Sequence, residues 1–573
     1  MRMSSREKEK KVLKRSHRRA IPPQKASTSS LMKEEYESES GEEQSLTYLL
    51  PDDALIHVLR SLPTRELLCS AAFVCKRWHR LCRQHMVYEL LPSPYNPSDK
   101  PWGQKNEAQL FQLAVSHSSS LERLSLVGLK RLTGSDVISL LPKLPKLEDL
   151  SIESCTNFGS DDLEAVCSQL PSHLLSLDLH NFDSVATRYH NCSIPRKHID
   201  DNVVGAIHQR CPKLQKLNLD YCGNLSMKAV GLLLQGCQFL TSLDLHSYKL
   251  GWPEVAEIFR LCQSLRHFSL VSIRLDLLEN PGKELSDFLL PGPVPVPCVL
   301  PRQLTSLRLY RSPNRAISME SGPMRIVLEE FGTQLLHLHA QTVYNTTWEV
   351  IRRFCPNLKL LDLSHCKVEL CLATKIEETM LCGMFPTLKD LEYLALPYAT
   401  DAILLKIGWN CPKLRELRFQ GFGIVDKPTV FKEVTDAGVV GLVEGCPDLR
   451  VLSLAGCRNI TALSTRNIAF HCRRLNVLIL NRCTGINDNA VAVMMPRLCS
   501  SLVYLDLIGC KLTRLSWQSI LKHAKDTTLR VLALNGRICP PGFEKTLGPR
   551  VRVIEGCSSG LRWLGYYHEL KMY

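Results

Sequence analysis

At 573 residues the chain is too long for one ordinary core, so it must hold several domains or a repeat array. Hydrophobic residues make up 45%, too many for a disordered protein. The net charge of +14 is uneven: Lys14, Arg15, Arg18 and Arg19 form a basic stretch, and Glu34, Glu35, Glu37, Glu42 and Glu43 follow. The remainder is only mildly basic, and no nucleic-acid partner is expected.

Residues 1–45 are polar, charged and rich in serine, and are expected to be disordered because they cannot bury enough apolar surface to offset chain entropy. The cluster from Lys14 to Arg19 suits a nuclear-import signal and a solvated basic tail equally. This stretch lacks the apolar segment of a secretory signal, and no run of about 18 apolar residues predicts a membrane span. The expected location is cytoplasmic, nuclear or both. The 24 cysteines are accordingly read as reduced thiols.

Order is expected from residue 46. Leu50-Pro51-Asp52-Asp53 reads as a helix start, with proline in the first turn and two acids facing the positive end of the helix dipole. Leu55, Ile56, Leu59 and Leu62 follow at helical spacing. Pro63 breaks that helix and Thr64 suits the cap of a second one. Leu67, Ala71, Val74, Cys75, Trp78 and Cys82 would form its apolar face. The ordered combination of Leu50-Pro51, the spaced Leu55, Leu59 and Leu62, then Leu67, Val74-Cys75 and Trp78, resembles an F-box across residues 46–85. The resemblance implies an all-helical module docked on a Skp adaptor, and through it on a cullin scaffold. It assigns adaptor binding to Leu50, Pro51, Leu55, Leu59, Leu62, Leu67, Val74 and Trp78. The same residues also suit a helical cap on whatever follows. Residues 86–117, with Pro92, Pro94, Pro97 and Pro101, read as a linker.

From residue 118 to 556 the chain repeats itself. The unit Leu-x-x-Leu-x-Leu is clearest at Leu449/Leu452/Leu454, Leu475/Leu478/Leu480, Leu502/Leu505/Leu507 and Leu529/Leu532/Leu534, whose first leucines are 26, 27 and 27 residues apart. Earlier copies begin at Leu121, Leu147, Leu174, Leu214, Leu240, Leu265, Leu304, Leu335, Leu358, Leu391 and Leu414. Each unit predicts a short strand and a helix whose leucines stay wet until neighbours stack on them. Ser160-Asp161-Asp162, Asp200-Asp201, Thr435-Asp436 and Asn487-Asp488 supply capping side chains in phase. The predicted fold class is α/β: an all-helical F-box module followed by a leucine-rich-repeat solenoid, a horseshoe. Residues 557–573 form a tail.

The cysteines follow the same phase. Cys211/Cys222, Cys355/Cys366, Cys446/Cys457, Cys472/Cys483 and Cys499/Cys510 are each 11 residues apart, the second member standing where the repeat accepts Asn or Cys. A thiol there is buried and donates weakly to a backbone carbonyl. This resembles the cysteine-containing repeat subtype common in F-box proteins. Paired Cys-x-x-Cys motifs are missing, so neither a metal nor a cofactor is expected. Walker, dinucleotide-glycine, His-Glu-x-x-His and Gly-x-Ser-x-Gly patterns are also missing.

The resemblance therefore implies a non-catalytic substrate-recognition subunit of a Skp–cullin–F-box ubiquitin ligase, acting by proximity and sending its substrate toward proteasomal degradation. The alternative is a repeat scaffold or inhibitor with no ligase partner. In either case the positions between the leucines are expected to be solvent-exposed on the concave face. They include Asp244 and His246, Arg308 and Tyr310, His337 and His339, Arg418 and Gln420, and Tyr504 and Asp506. Extra residues after Leu179, Leu309, Leu363 and Phe419 place long loops in mid-array. Arg308, Tyr310, His337, His339 and Arg418 are thus the expected centre of a protein-substrate site, with the two arginines suited to an acidic or phosphorylated segment.

Overall fold

A computed structural model describes residues 51–59, 74–81, 89–90, 121–126, 133–152, 160–179, 199–219, 225–246, 252–271, 301–310, 328–340, 345–363, 375–396, 398–419, 434–523, 527–535 and 551–555. The expected tails and mid-array insertions fall outside these residues. The chain divides into two units, Met1–Ser61 and Leu62–Tyr573.

The first unit contributes the helix Asp52–Leu59, with Asp52 and Asp53 in its first turn. Pro51 stands just ahead of the first turn rather than within it. Its carbonyl accepts the Leu55 N–H at 3.0 Å, so it occupies the cap position. Leu55 and Leu59, one helical turn apart, are buried.

In the second unit, the helix Lys76–Leu81 is described, while Thr64, Leu67 and Ala71 of the expected second helix lie outside the described residues. Val74 precedes it in a bend and is 58% exposed, so it is not part of an apolar helix face. The Cys75 thiol accepts the Trp78 N–H at 3.4 Å, giving this helix a sulfur cap.

The rest of the second unit is a repeat solenoid built on a parallel sheet, with seventeen strands among the described residues. Successive strands pair in chain order, each in parallel register with the next, from Glu89–Leu90 through Val531–Leu534 to Arg552–Glu555. Parallel neighbours need a crossover, and a helix supplies it in most repeats. The sheet reaches back into the stretch read as a linker, where Glu89 and Leu90 pair with Arg123 and Leu124.

Register puts the middle leucine of each motif in one row: Leu217, Leu243, Phe268, Leu307, Leu338 and so on to Leu532. All are buried in one continuous core with the apolar sides of the helices, such as Val203, Val204 and Ile207 in Asp201–Arg210. Burying each leucine contributes about 1.5–3 kcal/mol, which makes stacking the main source of stability. Helices Asp401–Asn410 and Asp436–Gly445 meet through glycines. A Cβ on Gly408 would lie 2.2 Å from the Gly441 carbonyl oxygen, so only hydrogen fits there.

The expected caps at Asp200, Thr435 and Asn487 are present, each accepting a backbone N–H of its helix. A second use of aspartate ties one repeat to the next. The first helical residue, Asp201, Asp401, Asp436 or Asp488, accepts both the N–H and the hydroxyl of the following helix's cap, Ser226, Thr435, Thr461 or Thr513. Asp436 also accepts the N–H and hydroxyl of Ser464. In Ala462–His471 the corresponding residue is Ala462.

The thiols behave as the repeat phase requires. Cys446, Cys457, Cys472, Cys483, Cys499 and Cys510 are free and buried. Cys483 and Cys510 donate to the carbonyls of Leu454 and Leu480 at 3.1 and 3.0 Å. Burial pushes the Cys446, Cys457 and Cys472 thiols up to about 12.

Candidate functional site

The helix-facing leucines leave the opposite face of the sheet to other residues, because side chains alternate along a strand. From Ser242–His246 to His337–Ala340 this face is polar, and beyond it Leu360, Tyr393 and Ala395 form a small buried apolar cluster. Asp244, Ser269, Arg308, His339 and Asp362 share one row across five strands, and Ser242, His267, Ser306 and His337 share the row beside it. Three of the expected residues are thereby brought together, since Arg308 is the direct register partner of His339, with His337 on the same strand. Tyr310 pairs with Val271 at the far end of the same strand as Arg308. Arg418 stands apart, separated from His339 by Asp362 and Ala395.

These side chains are less open than expected. Arg418 is 5% exposed and His339 and Asp244 are also buried; Arg308 and His337 are half-buried. The reason is lateral pairing. Neighbouring strands lie about 4.8 Å apart, close enough for long polar side chains to lean on one another. His267 bridges two strands, with Nε2 3.0 Å from Asp244 Oδ1 and Nδ1 2.7 Å from Ser306 Oγ. His339 Nδ1 lies 3.5 Å from Asp362 Oδ2, a charge-pairing distance. Arg418 donates to Glu416 at 3.0 Å and stacks over the Tyr393 ring, 5.5 Å from its centroid.

The electrostatics follow from burial and pairing. Burial alone would raise the Asp244 carboxyl, but His267 and Arg308 hold it below the usual range. Burial lowers His339, against the pull of Asp362, and lowers His337 with help from the neighbouring histidines. The centre of the face is therefore a balanced network rather than a bare cationic patch, and Arg418 is already neutralised by Glu416. In residue type Asp244–His267–Ser306 has the order of a nucleophilic triad. The Ser306 side chain is buried, and its bond to His267 links neighbouring strands and orders the face.

Sequence reasoning overlooked His267 and Ser306. The signal was available: the position just before the middle leucine shares the face, and reading each strand two residues further back finds both. Among the described residues no group of three metal-binding side chains converges. Among the described residues no helix is long and apolar enough to cross a membrane. Of the expected adaptor-binding residues, Leu55 and Leu59 are buried, Trp78 is half-buried, and Pro51 and Val74 are exposed. Leu50, Leu62 and Leu67 lie outside the described residues.

Residues 48–90 match the F-box domain model. The chain is 27% identical over 225 residues to the F-box protein FBW2 of Arabidopsis thaliana, covering 34% of this chain and 66% of that protein. It is 29% identical over 176 residues to the F-box/LRR-repeat protein 4 of Bos taurus, covering 26% of this chain and 27% of the relative. The alignments thus take in less than two thirds of either relative. Among solved structures, the crystal structure of the Rad7 and Elc1 complex in yeast aligns with a TM-score of 0.38 at 14% identity, over 74% of this chain and 89% of that one.

Proposed function

We propose that this member of the F-box/leucine-rich-repeat family is the substrate-recognition subunit of a Skp–cullin–F-box ubiquitin ligase. The observation that carries the reading is the F-box match over residues 48–90, joined in one chain to a long repeat sheet. The F-box would dock on a Skp adaptor through Leu50, Pro51, Leu55, Leu59, Leu62, Leu67, Val74 and Trp78, and the adaptor would bring the cullin. Exposed Pro51 and Val74 suit direct contact, whereas buried Leu55 and Leu59 suit support of the contact surface. The repeat face would hold a protein substrate, centred on Arg308, Tyr310, His337 and His339, with Arg418 at its margin. The chain itself is non-catalytic in this reading: it raises the local concentration of substrate beside a separate conjugating enzyme.

The test is co-purification with Skp and cullin, with and without residues 46–85. Replacing Leu50 and Pro51 together by alanine is expected to weaken adaptor capture while the repeats stay folded; unchanged capture overturns the reading. For the face, an Arg308→Ala, Tyr310→Ala, Arg418→Ala variant that still binds the adaptor is expected to lose substrate capture, and undiminished capture moves the site elsewhere.

A further inference from the structure

The face opposite the helices changes character along the array. In the strands Lys216–Leu219 and Ser242–His246 the positions between leucines are Lys216, Asn218, Ser242 and Asp244. In the last repeats the same rows carry Val451, Val477, Tyr504 and Val531, and beside them Ser453, Ile479, Asp506 and Ala533. Lys216 is exposed, whereas these eight side chains are 0–4% exposed. Val451, Ala455, Val477, Ile479, Tyr504 and Val531 form a buried cluster of their own, separate from the core under the helices. Lateral neighbours cover the flanks of a side chain on a sheet, but not its tip. Strands buried on both faces read as near-continuous apolar runs, and Val477-Leu478-Ile479-Leu480 and Val531-Leu532-Ala533-Leu534 are such runs. Bulky side chains this dry over four successive strands call for a cover over the face.

We propose that the apolar face of the last repeats is the docking site for the chain's own residues 556–573, which lie over Val451, Val477, Tyr504 and Val531. Three observations select this occupant. First, these residues directly follow Arg552–Glu555, the strand next to Val531–Leu534, so the face begins where they begin. Second, crossing from there to Val451–Ser453 spans four strand spacings, about 20 Å, which about six extended residues cover. Third, Leu561, Trp563, Leu564, Tyr566, Tyr567 and Leu570 supply the apolar and aromatic surface that such a face needs. The charged residues 1–45 have no comparable apolar content. Asp506 fits a capped position too: it lies between Ile479 and Ala533, and burial raises its carboxyl to about 6. This inference does not depend on the ligase reading, and it leaves the polar mid-array face as the part open to a partner.

The test uses the full chain with a photo-crosslinking amino acid at position 477. Intramolecular crosslinks mapped by mass spectrometry are expected to fall within residues 556–573. Crosslinks to residues 420–433, to another segment, or none at all overturn the proposal. A second measurement compares hydrophobic-dye binding by a chain truncated before Gly556 and by a full-length Trp563→Ser, Tyr566→Ser, Tyr567→Ser variant. Both are expected to bind several-fold more dye with the repeat helices intact by circular dichroism; no increase in the full-length variant overturns the proposal.

Discussion

The two halves of the repeat array use the same leucines in opposite company. Around Leu217 and Leu243 the flanking residues are Lys216, Asn218, Ser242 and Asp244, and one side of the sheet meets water or a polar network. Around Leu478 and Leu532 they are Val477, Ile479, Val531 and Ala533, and both sides are dry. The repeat motif therefore specifies only the helix-facing side. The other side is free to vary, and it differs between the halves: the middle carries a hydrogen-bonded polar surface, and the strands toward residue 555 carry a second apolar layer.

The largest expected effect sets one half against the other. Val477→Asp places an unpaired charge in the dry layer and is expected to cost about 4 kcal/mol, whereas Lys216→Asp in the same row is expected to change stability by less than about 0.5 kcal/mol. Urea unfolding followed by circular dichroism measures both, and equal costs would erase the distinction between halves. The aspartate ties come next. Asp436 accepts four hydrogen bonds from the next repeat and Asp201 accepts two, so Asp436→Ala is expected to cost about 2 kcal/mol and Asp201→Ala about half that. Burial works against ionised Asp436, but the bonds from Ser464 and Thr461 outweigh it and hold its carboxyl below 3.8. Its contribution is therefore complete above pH 3.8 and disappears as the pH falls through the lowered folded value. Melting temperatures of wild type and Asp436→Ala should converge on acidification.

Asp506 has the opposite sign. Its carboxyl rises from 3.8 to about 6 because burial disfavours the charge. The stability it supports is present below pH 3.8 and is lost as the pH rises through about 6. Asp506→Asn, which keeps an oxygen for the Ile508 N–H, is expected to stabilise the protein by about 1 kcal/mol at about pH 8 and by nearly nothing at about pH 4. A melting-temperature series across that range decides it, and destabilisation at the alkaline end would mean the charge is needed. The smallest expected difference is between thiols. Burial lifts both Cys211 and Cys446 to about 12, so iodoacetamide at about pH 8 should leave the two halves equally unlabelled in the folded chain. Selective labelling of one would show that its half opens.

Most of the repeat architecture was legible because a leucine period fixes which side of each strand is buried, and the caps and cysteines keep that phase. Glu89–Leu90 escaped because it carries no leucine triplet; only pairing with a neighbour makes it a strand. Val74 was misplaced on an apolar helix face because an apolar residue at helical spacing looks the same whether it packs inward or stands exposed in a bend. The site was half legible. Arg308, His337 and His339 emerge from alternation alone. That Arg418 is neutralised by Glu416 and stacked on Tyr393 depends on how side chains lean across strands, which alternation does not encode.

The missing carboxylate at Ala462 bears on how the array comes apart. A solenoid is a one-dimensional chain of neighbours, and it breaks where coupling between adjacent units is weakest. Asp401 and Asp436 bind the repeats before Ala462–His471 into a run, and Asp488 binds the two after it, but Asn487 receives no such tie from Ala462. Thr465 bridges that junction with one hydroxyl, donated to the Ala490 carbonyl at 3.1 Å. Helices Ala462–His471 and Asp488–Leu498 nevertheless pack closely, so this junction rests on packing and one neutral hydroxyl where its neighbours add a carboxylate. Acid that protonates Asp436 and Asp488 would therefore loosen the junctions on either side and leave this one as it was.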